Sequence, residues 1–179
     1  LLKDRRGNLT LTNINGLCRI ALDKLKKTYE QDIQEKNIRI VFDNLTLSLM
    51  MEVNVEQFSK VLAGILKNSM YALLKKSETV TFSPEIFLGL KVNKDMLEIT
   101  IRDNGSGIDE NIKDKIFAPF FTTKTTGEAA GVGLYLCREI VQNHRGTIEV
   151  ESKKGEYTQF LITIPVYQPK TITPPKEEE

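Results

Sequence analysis

A chain of 179 residues, with 25 lysines and arginines against 24 aspartates and glutamates, has room for one hydrophobic core and a net charge of only +1, too small to recruit nucleic acid or an anionic membrane. Cys18 and Cys137 form no ligand spacing, no apolar run approaches the roughly 20 residues of a membrane span, and the opening LLKDRRG is no signal peptide, so a reducing, cytoplasmic setting is expected. A start at Leu1 without methionine reads as an excised piece, with membrane or sensory parts free to lie outside it.

From Asn13 to about Ile33, Ile14, Leu17, Ala21, Leu25 and Tyr29 fall at helical spacing behind Asn13 as N-cap, predicting a first helix. IRIVFD (Ile38 to Asp43) and LTLSLMMEV (Leu45 to Val53) are rich in apolar and β-branched residues around the turn pair Asp43-Asn44, and predict a hairpin. From Asn54 to about Lys76, Phe58, Val61, Leu62, Ile65, Leu66, Ser69 and Leu73 make a wide apolar stripe capped by Asn54, the longest predicted helix. EIFLGLKV (Glu85 to Val92) and MLEITIR (Met96 to Arg102) read as strands joined by Asn93-Lys94-Asp95.

A short helical stretch is expected over about Asp109 to Ile116, followed by a mobile Thr-, Gly- and Ala-rich loop from Ala118 to Val132. Gly133 to about His144 repeats a helical pattern through Leu134, Leu136, Cys137, Ile140 and Val141, ended by Arg145-Gly146. TIEVES and TQFLITIP form a last strand pair around Lys153 to Glu156, and the Pro-rich, charged stretch past Pro165 reads as a tail or linker. Antiparallel pairs clustered with helices, rather than regular βαβ alternation, predict an α/β fold: a two-layer sandwich with one mixed, mostly antiparallel sheet covered on one face by three helices.

Three segments carry chemistry. DNGSGI, Asp103 to Ile108, reads first as a hairpin turn, since Asn-Gly after an alternating strand is a strong turn signal. The helical pattern of IDENIKDKIF where a partner strand should follow weakens that reading. In the functional reading Asp103 accepts a hydrogen bond from an exocyclic amine, and Gly105 and Gly107 let the backbone pass close beneath a ring. In LKNSMYAL, Asn68 sits at the border of the apolar stripe, where its side-chain oxygen suits magnesium; an exposed polar residue is the plain alternative. Tyr71 and Ala72, one turn on, would sit near the nucleotide. In FAPFFTTK, Phe117, Phe120 and Phe121 read as core anchors of a loop. Threonines and Lys124, beside Gly131 and Gly133 opening a helix, offer a cation and backbone NH groups to a polyphosphate. Neither a Walker A loop nor a dinucleotide fingerprint is present.

In order and spacing these residues resemble the Bergerat-fold ATPase superfamily of histidine kinases, DNA gyrase B, MutL-type repair proteins and large heat-shock chaperones, over about Leu9 to Pro165. The histidine kinase branch fits best, through LAGILKNSMYAL, DNGSG, the phenylalanine box into FFTTK, a short lid, GVGL and EIVQNHRGTIEVES; FFTTK with a short lid looks most like nitrogen-regulator-type kinases. The resemblance implies that Asn68 holds Mg2+, that Asp103 binds the adenine amine of ATP, and that Gly105, Gly107 and Ile108 line the base. Thr122, Thr123 and Lys124 would approach the phosphates, with Lys124 and Asn68 serving catalysis, and Gly131, Val132, Gly133 and Leu134 would wrap them. It also implies a domain over residues 9–166, preceded by the end of a dimerization helix or linker (1–8) and followed by a tail (167–179). Two positions depart from the pattern: Gly64 stands where asparagine is usual, which implies weaker magnesium or phosphate binding, and Tyr135 where glycine often follows, which implies an altered lid hinge.

The expected activity is transfer of the γ-phosphoryl group of ATP to a histidine on a dimerization domain outside the chain, with a response regulator receiver domain as the next partner. No direct contact with nucleic acid or membrane is expected, and the piece itself should be monomeric although the intact kinase would be a homodimer. Gly64 cannot act as the base that activates water in the gyrase-like branch, so vigorous hydrolysis is not expected. His144, the sole histidine, lacks the acidic neighbour of a phosphoacceptor and is assigned a structural or surface role. A nucleotide-binding but catalytically degenerate interaction module is the competing reading, and a regulator that phosphorylates serine is a third.

Overall fold

The computed structural model describes residues 5–44, 48–119, 121 and 133–167. Thr122, Thr123, Lys124, Gly131, Val132 and Phe120 therefore lie outside the described residues, as do the expected tail from 168 onward and most of the expected loop.

The chain runs β1 (Thr10–Asn13), α1 (Ile14–Thr28), α2 (Glu30–Lys36), β2 (Arg39–Asp43), β3 (Met50–Val53), α3 (Val55–Ser77), β4 (Glu85–Asn93), β5 (Met96–Asp103), a 3-10 turn (Lys113–Lys115), α4 (Gly133–Asn143), β6 (Thr147–Lys153) and β7 (Tyr157–Pro165). Asn13 and Asn54 cap α1 and α3 as their position before each apolar stripe predicts, accepting from the backbone NH groups of Gly16 and Gln57 at 3.0 Å. The first helix stops at Thr28, short of the expected Ile33. Tyr29, at φ −111° and ψ 26°, leaves helical geometry, and the redirected α2 brings Ile33 against the core.

Five strands form the main sheet in the order β2-β4-β5-β7-β6, with β2 parallel to β4 and every other pair antiparallel. The hairpin expected from Ile38 to Val53 does not form. β2 instead lies in the main sheet with Ile40 opposite Ile86, and β3 pairs with β1 in a separate two-stranded sheet, Met51 opposite Thr12. The turn signal at Asp43-Asn44 is a local preference worth little against burial: this arrangement gives β2 a place at the edge of the main sheet and buries Met51 and Val53 completely or nearly so.

One face of the sheet is covered. α3 crosses β4 and β5, α4 packs on α3 and β6, and α1 lies beside α3. Along β5 the period of two turns Leu97, Ile99, Ile101 and Asp103 inward, and along β7 it turns Thr158, Phe160, Ile162 and Ile164 inward. Asp103 thus occupies a core-facing position at the strand's end because the three alternate residues before it are buried apolar ones.

Both cysteines are free and buried, and burial pushes each thiol up to about 12, so neither is a reactive thiolate. No helix among the described residues is long and apolar enough to cross a membrane.

Candidate nucleotide site

Beyond Asp103 the chain does not return as a hairpin; it is clamped between α3 and the β6–β7 turn. The Asn104 side chain accepts from the Glu85 backbone NH at 2.7 Å and donates to Ser83 O at 2.8 Å, fastening the loop to the start of β4. Ser106 NH donates to Ala72 O at 3.1 Å, and the Gly155 NH donates to Ser106 O at 2.6 Å. A Cβ at Gly105 would fall 2.6 Å from the Ala72 carbonyl carbon; one at Gly107, which holds φ +65°, would fall 2.2 Å from Lys153 O. Both glycines thus answer a close approach of protein backbone to protein backbone, a need separate from the ligand ring that the sequence reading placed over them. Ile108 NH then donates to Ser152 Oγ at 2.8 Å, and Ser152 Oγ lies 3.0 Å from Thr158 Oγ1.

Within this frame Asp103 is 2% exposed, and its Oδ1 accepts from Gly105 NH at 2.9 Å. Burial raises its carboxyl from 3.8 to about 7; the Gly105 NH, the Ser69 hydroxyl and the charges of Lys76 and Arg102 pull it part of the way back. Ser69 Oγ approaches the carboxylate without completing a full hydrogen bond. Asp109, by contrast, faces solvent, where the Asn111 NH and Lys154 hold its carboxyl below the usual range.

Above Asp103 opens a cavity of about 520 Å³, within the range of small-molecule and cofactor sites. Asn68, Tyr71, Ala72, Asp103, Gly107, Ile108, Gly133 and Leu134 line it; Gly105, packed beneath Ala72, does not. An amide on α3 and a buried carboxylate at a strand end therefore open on one space. Ile112, Ile116, Phe121 and Phe160 supply apolar wall, and Lys67, Lys75 and Lys154 stand exposed at its rim. The short helix expected over Asp109 to Ile116 is reduced to the 3-10 turn: Asp109 closes its own turn through Asn111 NH and Ile112 NH, and Ile112 and Ile116 turn into the wall.

Several of these residues escaped sequence reasoning. Lys67 adjoins Asn68 and Lys75 lies two helical turns beyond it, a spacing that was available as a signal. Thr158 and Phe160 carried none, because only the β5–β7 register sets Thr158 beside Asp103. Phe117 meets Phe160 edge to face with centroids 6.2 Å apart, an anchoring role like the one expected of it. Gly64 packs against α4: a Cβ there would lie 3.2 Å from Cys137 Sγ. His144 is structural and fully buried: its Nε2 accepts from Asn54 NH at 3.2 Å, so the proton sits on Nδ1, which donates to Ile140 O at 2.8 Å.

Residues 54–168 match the family model described as histidine kinase-, DNA gyrase B- and HSP90-like ATPase. Cyanobacterial phytochrome A of Nostoc sp. is 35% identical over 149 residues, covering 82% of this chain and 18% of that protein. Sensor histidine kinase ZraS of Salmonella typhi is 28% identical over 166 residues, covering 93% of this chain and 33% of that one. The chain thus spans a third or less of the length of these curated relatives. Among solved structures, the catalytic domain of histidine kinase ThkA superposes with a TM-score of 0.71 at 28% identity, covering 88% of this chain and 95% of that one. With a matched model over more than half its length, the chain belongs to the histidine kinase-, DNA gyrase B- and HSP90-like ATPase family, as an ATP-binding domain of the histidine kinase type.

Proposed function

We propose that this chain binds ATP with magnesium in the cavity over Asp103 and transfers the γ-phosphoryl group to a histidine supplied by a dimerization domain outside the chain. The observation that carries this reading is the opening of Asp103 and Asn68 on the same cavity. A buried carboxylate is a strong acceptor for the exocyclic amine of adenine, and guanine presents a carbonyl there instead. Gly107 and Ile108 flank the base. The Asn68 side-chain oxygen is one hard ligand, which fits a magnesium ion that takes its other ligands from phosphates and water. Lys67 and Lys75 place cations at the rim, and Thr122, Thr123, Lys124, Gly131 and Val132, together with Gly133 and Leu134, are the segment to which the resemblance gives phosphate contact and, for Lys124, a catalytic part.

The acceptor has to come from elsewhere, because His144 is buried with both ring nitrogens engaged. Positioning and charge stabilisation are most of what phosphoryl transfer to a nucleophilic imidazole requires. No carboxylate lies within a turn of Asn68 on α3, which argues against activated water and hydrolysis. A receiver domain is the proposed next partner; the solved complex of ThkA with the response regulator TrrA, whose kinase is 25% identical to this chain over the aligned part, supports that choice. The intact protein is proposed to be a cytoplasmic-facing homodimer and this piece alone a monomer, with the domain spanning residues 9–166.

Calorimetric titration with ADP and magnesium tests the site. Asp103→Ala should abolish the preference for adenine over guanine nucleotides, and Asn68→Ala should remove most of the magnesium-dependent part of the affinity. Unchanged binding in both variants would reject the assignment. Fusion to the histidine-bearing helices of a relative should yield acid-labile phosphate from ATP. Nucleotide binding without any labelling would favour the second reading, a degenerate regulatory module, for which Gly64 in place of the usual asparagine is the favouring observation.

A further inference from the structure

The apolar stripe of α3 carries one polar side chain into the core. Ser69 is 1% exposed among Ile65, Leu66, Met70 and Leu73, which are fully buried. Withdrawing a hydroxyl from water is costly unless it is bonded, and Ser69 Oγ completes no hydrogen bond. It stands one turn before Ala72, whose carbonyl receives the Ser106 NH and whose backbone bears on Gly105, so this face of α3 is pressed against the loop that follows Asp103. The group Ser69 approaches is the Asp103 carboxylate.

The other groups that act on that carboxylate already have partners. Gly105 NH takes Oδ1 at 2.9 Å. From α3, Lys76 Nζ donates to Asn104 O at 2.9 Å and lies 4.4 Å from the Phe82 ring. From β5, the Arg102 guanidinium lies 4.3 Å from the Tyr157 ring, on the exposed side of the sheet. From β7, Thr158 Oγ1 pairs with Ser152 Oγ at 3.0 Å. Ser69 is the buried hydroxyl that acts on Asp103 and completes no bond of its own.

We propose that Ser69 is a positioning residue for base recognition: its hydroxyl donates to the Asp103 carboxylate and holds it at the angle from which it accepts the exocyclic amine of the ligand. This rests on the nucleotide-binding reading above. A donor to the charged form of an acid also favours that form, so the hydroxyl acts on when Asp103 is ionised as well as on where it points. Because burial places the Asp103 titration near neutrality, the contribution of Ser69 falls in an accessible pH window.

The test follows the Asp103 side-chain carbonyl carbon by NMR against pH, without nucleotide or magnesium, in wild type, Ser69→Ala and Ser69→Thr, and measures ADP affinity of the same proteins at about pH 6.5 and pH 8.5. Ser69→Ala should raise the Asp103 midpoint by about half a unit and weaken ADP at both pH values, through lost orientation, with about threefold more loss at the lower pH than at the higher. Ser69→Thr, which keeps the hydroxyl, should retain the wild-type midpoint. An unmoved midpoint in Ser69→Ala, or an equal loss of affinity at both pH values, would overturn the proposal, the second result marking a packing defect. Wild type that binds no ADP overturns the nucleotide-binding reading and this one with it; wild type that binds while Ser69→Ala keeps its pH profile overturns the role of Ser69 alone.

Discussion

Gly105 bears directly on Ala72: a side chain at Gly105 would begin 2.6 Å from the Ala72 carbonyl carbon, and the next residue, Ser106, donates its NH to Ala72 O at 3.1 Å. The loop that presents Asp103 is thereby seated on the helix that presents Asn68, so the two halves of the site share one rigid contact. Gly105→Ala forces backbone apart, a change expected to cost about 1–3 kcal/mol of stability. Because Asp103 moves with the loop, ADP affinity should fall at least about tenfold, the loss of one well-placed hydrogen bond to a charged group. Denaturant unfolding and calorimetry read the two effects; a variant matching wild type in both would contradict this seating.

The acidity of Asp103 predicts pH dependence of two signs. Its carboxyl is raised from 3.8 to about 7 in the folded protein, so between those values the native state holds a proton that the unfolded chain has released. The stability from this group is fully present below about pH 4 and is lost as pH rises through about 7. With Asp103 as the proposed acceptor of the adenine amine, nucleotide binding runs the other way, since the amine needs the ionised form: ADP should bind about tenfold more weakly at pH 6 than on the alkaline plateau. Asp103→Asn should flatten this part of the stability profile, measured by denaturant titration from pH 4 to 8, and should remove the preference for adenine.

Gly64 has a packing partner, Cys137 Sγ, 3.2 Å from where its Cβ would stand. Gly64→Asn, the family's usual residue, should therefore destabilise by about 1–3 kcal/mol through overpacking, despite a better intrinsic helix propensity. In a cycle of Gly64→Ala, Cys137→Ala and the double variant, the pair should couple by at least about 0.5 kcal/mol, the second substitution relieving the first. Strict additivity in chemical denaturation would show that Gly64 is there for another reason.

His144 joins the end of α4 to the start of α3 through its bonds to Ile140 O and Asn54 NH, and its ring meets Phe58 edge to face at 5.6 Å. Truncation leaves a buried donor unpaired and opens a void, so His144→Ala should cost about 2–4 kcal/mol. No part of His144 lines the nucleotide cavity, and ADP affinity of the folded fraction should stay within about twofold of wild type. A normal denaturation midpoint in this variant would refute the structural assignment.

Local pattern made much of this molecule legible. The stripe from Phe58 to Leu73 and its cap Asn54 are written at a spacing of 3 to 4 residues, and the turns after Asn93 and Lys153 lie between strands that pair with their immediate neighbours. Asn68, Asp103 and the Gly133 helix start, which the sequence reading grouped, line one cavity. What that reading misjudged were choices between competing partners. Asp43-Asn44 favours a tight turn locally, yet β2 joins β4 in parallel and β3 joins β1, an arrangement that buries Met51 and Val53.

The same division holds at the site. Residue types and their order along the chain determined the fold class and the ATPase family, and singled out Asn68 and Asp103, since periodicity, capping and turn preference act over a few residues and leave a readable trace. Only the packed structure decided that Gly105 is pressed against α3, that Thr158 stands beside Asp103, and that the Ser69 hydroxyl is buried with no bond of its own. Those facts depend on strand register and helix-to-sheet distance, which are fixed by burial summed over segments far apart in the chain.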